Sequence, residues 1–179
     1  MNANVQIQQA TLADLDELLS FAKSNFILTY AHLNDPQNFQ AYLDKAFSRA
    51  NFQVEMEAPN TQFYLLKKGG ELLGYIKLNF NKRVKNLNAD ESVEMERIYV
   101  KPEAKGKGYG KILIETAKKV ATEQAKKIIW LGVWENNPKA IGFYRKMGFE
   151  QFGEHVFMIG AEVQNDYLMK IELVEQRTL

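Results

Sequence analysis

The 179-residue sequence predicts a mixed α/β domain, a central sheet of about seven strands flanked by helices. Three observations predict it. Short apolar or alternating runs recur at 5–7, 63–66, 72–80, 93–100, 128–134, 149–157 and 167–173, the signature of strands. Between the early and late runs lie stretches with apolar residues at helical spacing. Gly69-Gly70 joins two runs as a hairpin, whereas other runs are separated by helices, so antiparallel and crossover connections both occur. A single core typically spans ~100–200 residues, so residues 1–179 are read as one domain.

The elements follow in order. Val5 and Ile7 alternate with polar residues as a first strand. Thr11 reads as an N-cap with Asp14 three positions on, where a carboxylate favours the positive helix end. Leu12, Leu15, Leu18, Leu19, Ala22 and Phe26 then recur at helical spacing. Asp35-Pro36 opens a second helix, with Phe39, Tyr42, Leu43 and Phe47 on its buried face. The hairpin follows, then the polar segment 81–90 and the strand 93–100, which Pro102 stops. A glycine-rich loop leads into a helix over about 108–124, with Leu113, Ala117, Val120 and Ala121 on one face. After the strand 128–134, Asn137-Pro138 starts another helix and Gly148 ends it. Two strands complete the chain.

Composition removes several function classes. There is no cysteine, hence no disulfide, thiolate metal site or cysteine nucleophile. His32 and His155 are the only histidines, which argues against a multi-histidine metal site. The formal net charge of +1 is unlike that of a polyanion binder, so nucleic acid is not an expected partner. The N-terminus lacks an apolar signal core, and no apolar run approaches the ~20 residues of a membrane span; the expected location is the cytoplasm. The net charge is unevenly distributed. Residues 1–60 carry three basic and seven acidic side chains, a net of −4, and residues 101–127 carry eight and three, a net of +5.

The sharpest local signal is Lys105-Gly106-Lys107-Gly108-Tyr109-Gly110 between a strand and a helix. Glycines let a ligand approach the backbone, and the first helical turn offers unpaired N–H groups and positive potential, together an anion site. Lys101, Lys105, Lys107 and Lys111 add charge. A Walker A loop would end in Gly-Lys-Ser/Thr, but Ile112 follows Gly110-Lys111. A dinucleotide fingerprint would follow the first strand of its unit. A glycine-rich turn on a solvated basic face is the plainer alternative.

Val100-Lys101-Pro102, this loop, the helix to Gln124, the strand 128–134, Asn137, Ala140, Phe143-Tyr144 and Met147-Gly148-Phe149 come in an order that resembles the GCN5-related N-acetyltransferase (GNAT) superfamily. Glu94 to Val100 together with Ile129 to Glu135 resembles its bacterial spermidine/spermine N-acetyltransferase branch. Lys105 stands where the family loop has Gln or Arg, while Gly108 and Gly110 match. The resemblance implies acetyl-CoA as cosubstrate, no metal, and direct transfer of the acetyl group to a primary amine. It implies a general acid at Tyr144 and a base at Glu94 or Glu96. The coenzyme would lie against Ile98, Tyr99, Val100, the loop from Lys105 to Lys111, Asn137 and Lys139.

Plainer readings stand beside these. Tyr144 falls on a helical stripe with Ile141 and Met147 and could be core, and Asn137 could be an N-cap alone. Glu94 and Glu96 lie two apart on a strand, so they share a face, and mutual repulsion would raise one pKa. For the acceptor, the resemblance points to Tyr30, His32 and Asp35 between the early helices, with Glu135 as a further candidate. The acidic excess of residues 1–60 suits a cationic acceptor. A polyamine such as spermidine or spermine is the leading reading. Another amine (a protein N-terminus, a lysine, an aminoglycoside) and a coenzyme A-binding regulatory protein with little turnover are the alternatives. The chain is expected to be a monomer or homodimer.

Overall fold

The computed structural model describes residues 4–159 and 162–173. The strands are β1 (Val5–Gln9), β2 (Thr61–Lys68), β3 (Glu71–Phe80), β4 (Ser92–Val100), β5 (Ile128–Trp134), β6 (Glu150–Ile159) and β7 (Glu162–Glu172). The helices are α1 (Leu15–Tyr30), α2 (Pro36–Ala46), α3 (Arg49–Glu57), α4 (Tyr109–Glu123) and α5 (Pro138–Lys146). The strands form one sheet in the order β1-β2-β3-β4-β5-β7-β6, antiparallel throughout except between β4 and β5.

Local chemistry explains most boundaries. Asp35 caps α2 by accepting from the N–H groups of Gln37 and Asn38, both at 3.0 Å, with Pro36 at the first position. The Asp14 carboxylate accepts from the Thr11 N–H at 3.0 Å, but residues 12–14 form a 3-10 turn and α1 begins only at Leu15. Helix α3 falls where the sequence signals no element. Ser48 caps it through the Asn51 N–H, and Phe52 is its only fully buried residue, too little periodicity to announce a helix. Strand β7 starts five residues before the predicted run, because Val163, Gln164, Asn165 and Asp166 pair with β6 although most are polar.

The sheet separates two cores. Leu113, Ile114, Ala117 and Ala121 of α4 and Ile141 of α5 pack on Val93, Met95, Ile129, Leu131, Val133 and Met169. On the other face, α1, α2 and α3 pack Leu18, Phe26, Phe39, Leu43, Phe47 and Phe52 against Phe63, Leu65 and Tyr75. Alternation therefore turns Gly132 and Trp134 of β5 toward the α1–α3 face.

One irregularity positions the site. Lys77 pairs with Arg97 and Leu78 with Met95, so Glu96 is the extra residue of a bulge in β4. A bulge bends its strand and raises the local twist. Beyond Glu94 the parallel neighbours part. Only Ser92–Ile128, Val93–Ile129 and Glu94–Trp130 pair, and β4 from Met95 to Val100 continues against β3 alone. The gap between β4 and β5 opens toward the first turns of α4 and α5.

Candidate active site

Helix α4 begins at the mouth of this gap. Gly106 and Gly108 hold φ of +77° and +85°, and nothing lies within 4 Å of where either would carry a Cβ. Only glycine takes such angles freely. Gly108 is the N-cap, and the Ile112 N–H bonds back to its carbonyl at 3.2 Å. The N–H groups of Tyr109, Gly110 and Lys111 precede that bond and have no partner within the helix. Among the described residues, Lys105, Lys107 and Lys111 are exposed and enter no ion pair, whereas Lys101 is paired with Glu71. An open, positively charged cradle of N–H groups fits a pyrophosphate.

Two loop residues have other duties. The Tyr109 side chain is buried in the core, so only its N–H can face a ligand. At Gly110, a Cβ would stand 3.0 Å from the Phe143 Cζ, so a side chain here would press on that ring where α4 meets α5. Lys139 is exposed on the first turn of α5.

Across the gap, Asn137 caps α5 through the Ala140 N–H at 3.2 Å, and its side chain also interacts with the Tyr30 phenol at the end of α1. Tyr30 in turn engages the Tyr99 hydroxyl of β4. Tyr144 is half-buried, with its ring centroid 5.5 Å from that of Phe143 and 5.8 Å from that of Phe149. Burial, followed by the nearby Tyr30 phenol, pushes the Tyr144 pKa up, so its hydroxyl stays protonated. Tyr30, Tyr99, Asn137 and Tyr144 thus come from α1, β4, the loop after β5 and α5 to the same opening. Ile98 and Val100 lie on the unpaired stretch of β4 between them.

The two glutamates meet as predicted but in a different electrostatic state. The Asn79 amide donates to both, to Glu94 Oε2 at 2.7 Å and to Glu96 Oε2. Lys82 pairs with Glu94 at 2.7 Å, and Lys77 and Arg97 pair with Glu96 at 2.9 and 3.3 Å. Burial alone would raise the Glu96 pKa, but the charges of Arg97 and Lys77 with hydrogen bonds from Lys77 and Asn79 outweigh it and lower the value to about 2. The cations supplied by β3 and β4 override the repulsion between the carboxylates. The predicted raised pKa is therefore corrected for Glu96, which is ionised at neutral pH and a weak base.

A stability prediction follows from the sign of this shift. The folded pKa of about 2 lies below the ordinary 4.5, so the contribution is full above pH 4.5 and disappears as pH falls toward 2. Glu96→Gln should flatten the stability loss between these pH values in urea unfolding. An unchanged acid limb would show that Glu96 is not its source.

The expected acceptor residues divide. Tyr30 joins the opening. His32 is exposed on a 3-10 turn, and the Asp35 carboxylate is engaged as the α2 cap. Glu135 lies in a groove of about 360 Å³ with Leu33, Trp134, Asn136 and Asn165, and accepts from the Asn165 amide at 3.3 Å. The N-terminal acids do not form a free anionic surface. Asp14 and Glu17 pair with Lys67, Asp16 with Arg49, and Glu55 with Lys77 and Arg97. Much of the −4 counted over residues 1–60 is balanced by cations from β2, β3 and β4.

Residues 27–149 match the acetyltransferase (GNAT) family. The chain belongs to this family. It is 35% identical over 170 residues to an uncharacterized N-acetyltransferase of Lactobacillus delbrueckii subsp. lactis, covering 95% of this chain and 98% of that one. A spermidine N(1)-acetyltransferase of Thermoplasma acidophilum is 25% identical over 151 residues, 82% of this chain and 89% of that one. The fold matches the PaiA N-acetyltransferase of the same organism, solved with coenzyme A, at a TM-score of 0.74 and 21% identity over 94% of this chain and 99% of that one. The GNAT chain is an acetyl-CoA-dependent N-acetyltransferase. Among its described residues no three His, Cys, Asp or Glu side chains gather as a metal site, and no helix is long and apolar enough to cross a membrane.

Sequence reasoning missed several residues of this GNAT site. Lys77, Asn79, Lys82 and Arg97 fix the two glutamates, but their roles depend on cross-strand register. Asp166 of β7 also faces the α1 side of the sheet. The signal for it was Gly132, a glycine in an otherwise apolar strand, which marks the close approach of another group. A Cβ there would lie 3.2 Å from Asp166 Oδ2 and 3.2 Å from His155 Cε1.

Proposed function

We propose that this acetyltransferase acetylates a primary amine of a cationic small molecule, a polyamine such as spermidine or spermine. The observation that carries this reading is the groove between Leu33 and the end of β5. It is lined by Trp134 and Glu135, an aromatic residue and a carboxylate, and has no Lys or Arg in its lining. The Asn165 amide that steadies Glu135 also donates to Glu154 at 3.3 Å, placing a second carboxylate nearby. Carboxylates and aromatic faces are the partners an extended polycation needs. The likeness to the Thermoplasma spermidine acetyltransferase supports the same acceptor class.

Acetyl-CoA supplies an acetyl group activated as a thioester. In this reading the N–H groups of Tyr109, Gly110 and Lys111, with Lys105 and Lys107, hold the pyrophosphate. The unpaired edge of β4 through Ile98 and Val100 pairs with the pantetheine arm as a neighbouring strand would. Asn137 and Lys139 flank that arm. Tyr144 offers its protonated hydroxyl where the thiol leaves. Glu96 keeps its charge and acts on the acceptor through its field. The amine attacks as the free base, its proton leaving to water along the open groove.

A second reading has one observation in its favour. Leu33, Val156 and Val163 give the groove an exposed apolar wall, which would suit the side chains of a peptide whose terminal amine is acetylated. Thiol release from acetyl-CoA decides between the two across spermidine, spermine, simple diamines, lysine, an aminoglycoside and a short peptide. The polyamine reading expects the highest kcat/KM for spermidine or spermine. Turnover of the peptide without turnover of either polyamine would overturn it.

A further inference from the structure

We propose that Asp166 is the residue that anchors an ammonium group of the acceptor, and so determines specificity for a cationic amine. The proposal rests on the amine-acceptor reading above and adds the residue responsible. Asp166 is the cross-strand partner of Trp134 on β5 and of His155 on β6. It lies on the face of the sheet that carries Tyr30, not on the α4–α5 face. Its carboxylate leans over Gly132, where the absence of a side chain leaves it room.

Three features separate it from the other carboxylates. First, among the described residues its side chain has neither a hydrogen bond nor a Lys or Arg counter-ion, although it is half-buried. Glu94 and Glu96, by contrast, are each held by a cation and by Asn79. A half-buried carboxylate whose cationic neighbour among the described residues is the His155 imidazole alone gains from a cation that a ligand provides. Secondly, it acts electrostatically on the Tyr30 phenol, which itself meets Tyr99 and Asn137 at the opening of the gap. Thirdly, the groups that face it are few and identifiable: Tyr30 from α1, Glu135 after β5 and His155 from β6. Glu135 adds negative potential, and the His155 imidazole, when protonated, opposes an incoming cation.

An ammonium brought to Asp166 lies beside Tyr30, on the acceptor side of the opening that Tyr144 borders from the other face. A second ammonium of the same molecule can follow the groove toward Glu135. Burial raises the Asp166 pKa, opposed by His155 and assisted by Glu135, to about 6, so affinity for a cation should fall as pH drops through that value.

The test compares wild type with Asp166→Asn, which keeps the shape and removes the charge. The proposal expects KM for spermidine to rise at least about tenfold with kcat little changed, the size of a lost charge-assisted contact. Coenzyme A affinity should stay the same, and the decline in spermidine affinity near pH 6, read by calorimetry, should become shallower than in wild type. KM for aniline, a neutral amine, should not respond. If Asp166→Asn retains the wild-type KM for spermidine and the same pH profile, the anchor is overturned while the acetyltransferase reading stands. If no amine drives thiol release, that acceptor reading fails. Calorimetric binding of spermidine then still decides the anchor: a tenfold loss in Asp166→Asn supports it, and equal affinity overturns it. Should Asp166→Asn fold poorly, Asp166→Ser, smaller and uncharged, gives the same decision: a tenfold loss of spermidine affinity supports the anchor, and equal affinity overturns it.

Discussion

Tyr144→Phe is expected to lower kcat by about 100-fold while leaving the affinity for coenzyme A nearly unchanged. The aromatic ring packs between Phe143 and Phe149, and phenylalanine preserves those contacts, so the fold should survive the change. What disappears is one hydroxyl. Burial keeps that hydroxyl protonated, which suits a donor to a departing sulfur better than a proton acceptor. The loss should therefore appear in kcat and kcat/KM together, the mark of an interaction made mainly in the transition state. Steady-state kinetics at saturating acetyl-CoA measure it. An unchanged kcat would return Tyr144 to the role of a packing residue.

Gly108→Asp is expected to weaken coenzyme A binding by roughly 100-fold, read by calorimetry. Two effects act together. An L-residue at φ +85° adopts a conformation that costs ~1–2 kcal/mol. A carboxylate at the N-cap also opposes an incoming pyrophosphate, and two like charges 4 Å apart near a surface repel by ~4 kcal/mol at an effective dielectric of 20. Gly108→Asn separates them. Asparagine takes the left-handed region about as readily as aspartate and carries no charge, so it keeps the strain, removes the repulsion and should retain most of the affinity. Equal losses in the two variants would mean that backbone strain, not anion binding, explains the glycine. Wild-type affinity in Gly108→Asp would remove the loop from the coenzyme site.

The strand positions along the chain, the hairpin, the α4 and α5 starts and the glycine loop were legible because each depends on neighbouring residues. Asn137-Pro138 marks the start of α5 as directly in sequence as in space. The site's electrostatics were not legible in the same way. Glu94 and Glu96 look like a repelling pair until register brings Lys77, Asn79 and Arg97 beside them. The bulge at Glu96, which helps open the gap, leaves no mark on an alternating run. Counting acids over residues 1–60 pointed to a cation-attracting surface, but folding pairs several of them with Lys67, Lys77 and Arg97. Asp166, which has no Lys or Arg counter-ion among the described residues, stands instead in a polar stretch that precedes the predicted last strand. Only Gly132, on a different strand, signals that something must fit above it.

These assignments share one claim: the opening between β4 and β5 receives acetyl-CoA from the α4 side and the amine from the α1 side. A crystal structure with coenzyme A and spermidine bound together tests this most directly. The pyrophosphate should lie on the N–H groups at the start of α4, the sulfur within hydrogen-bonding reach of the Tyr144 hydroxyl, and an ammonium against Asp166. A coenzyme lying elsewhere, or a sulfur remote from Tyr144 with spermidine outside the groove, would contradict it.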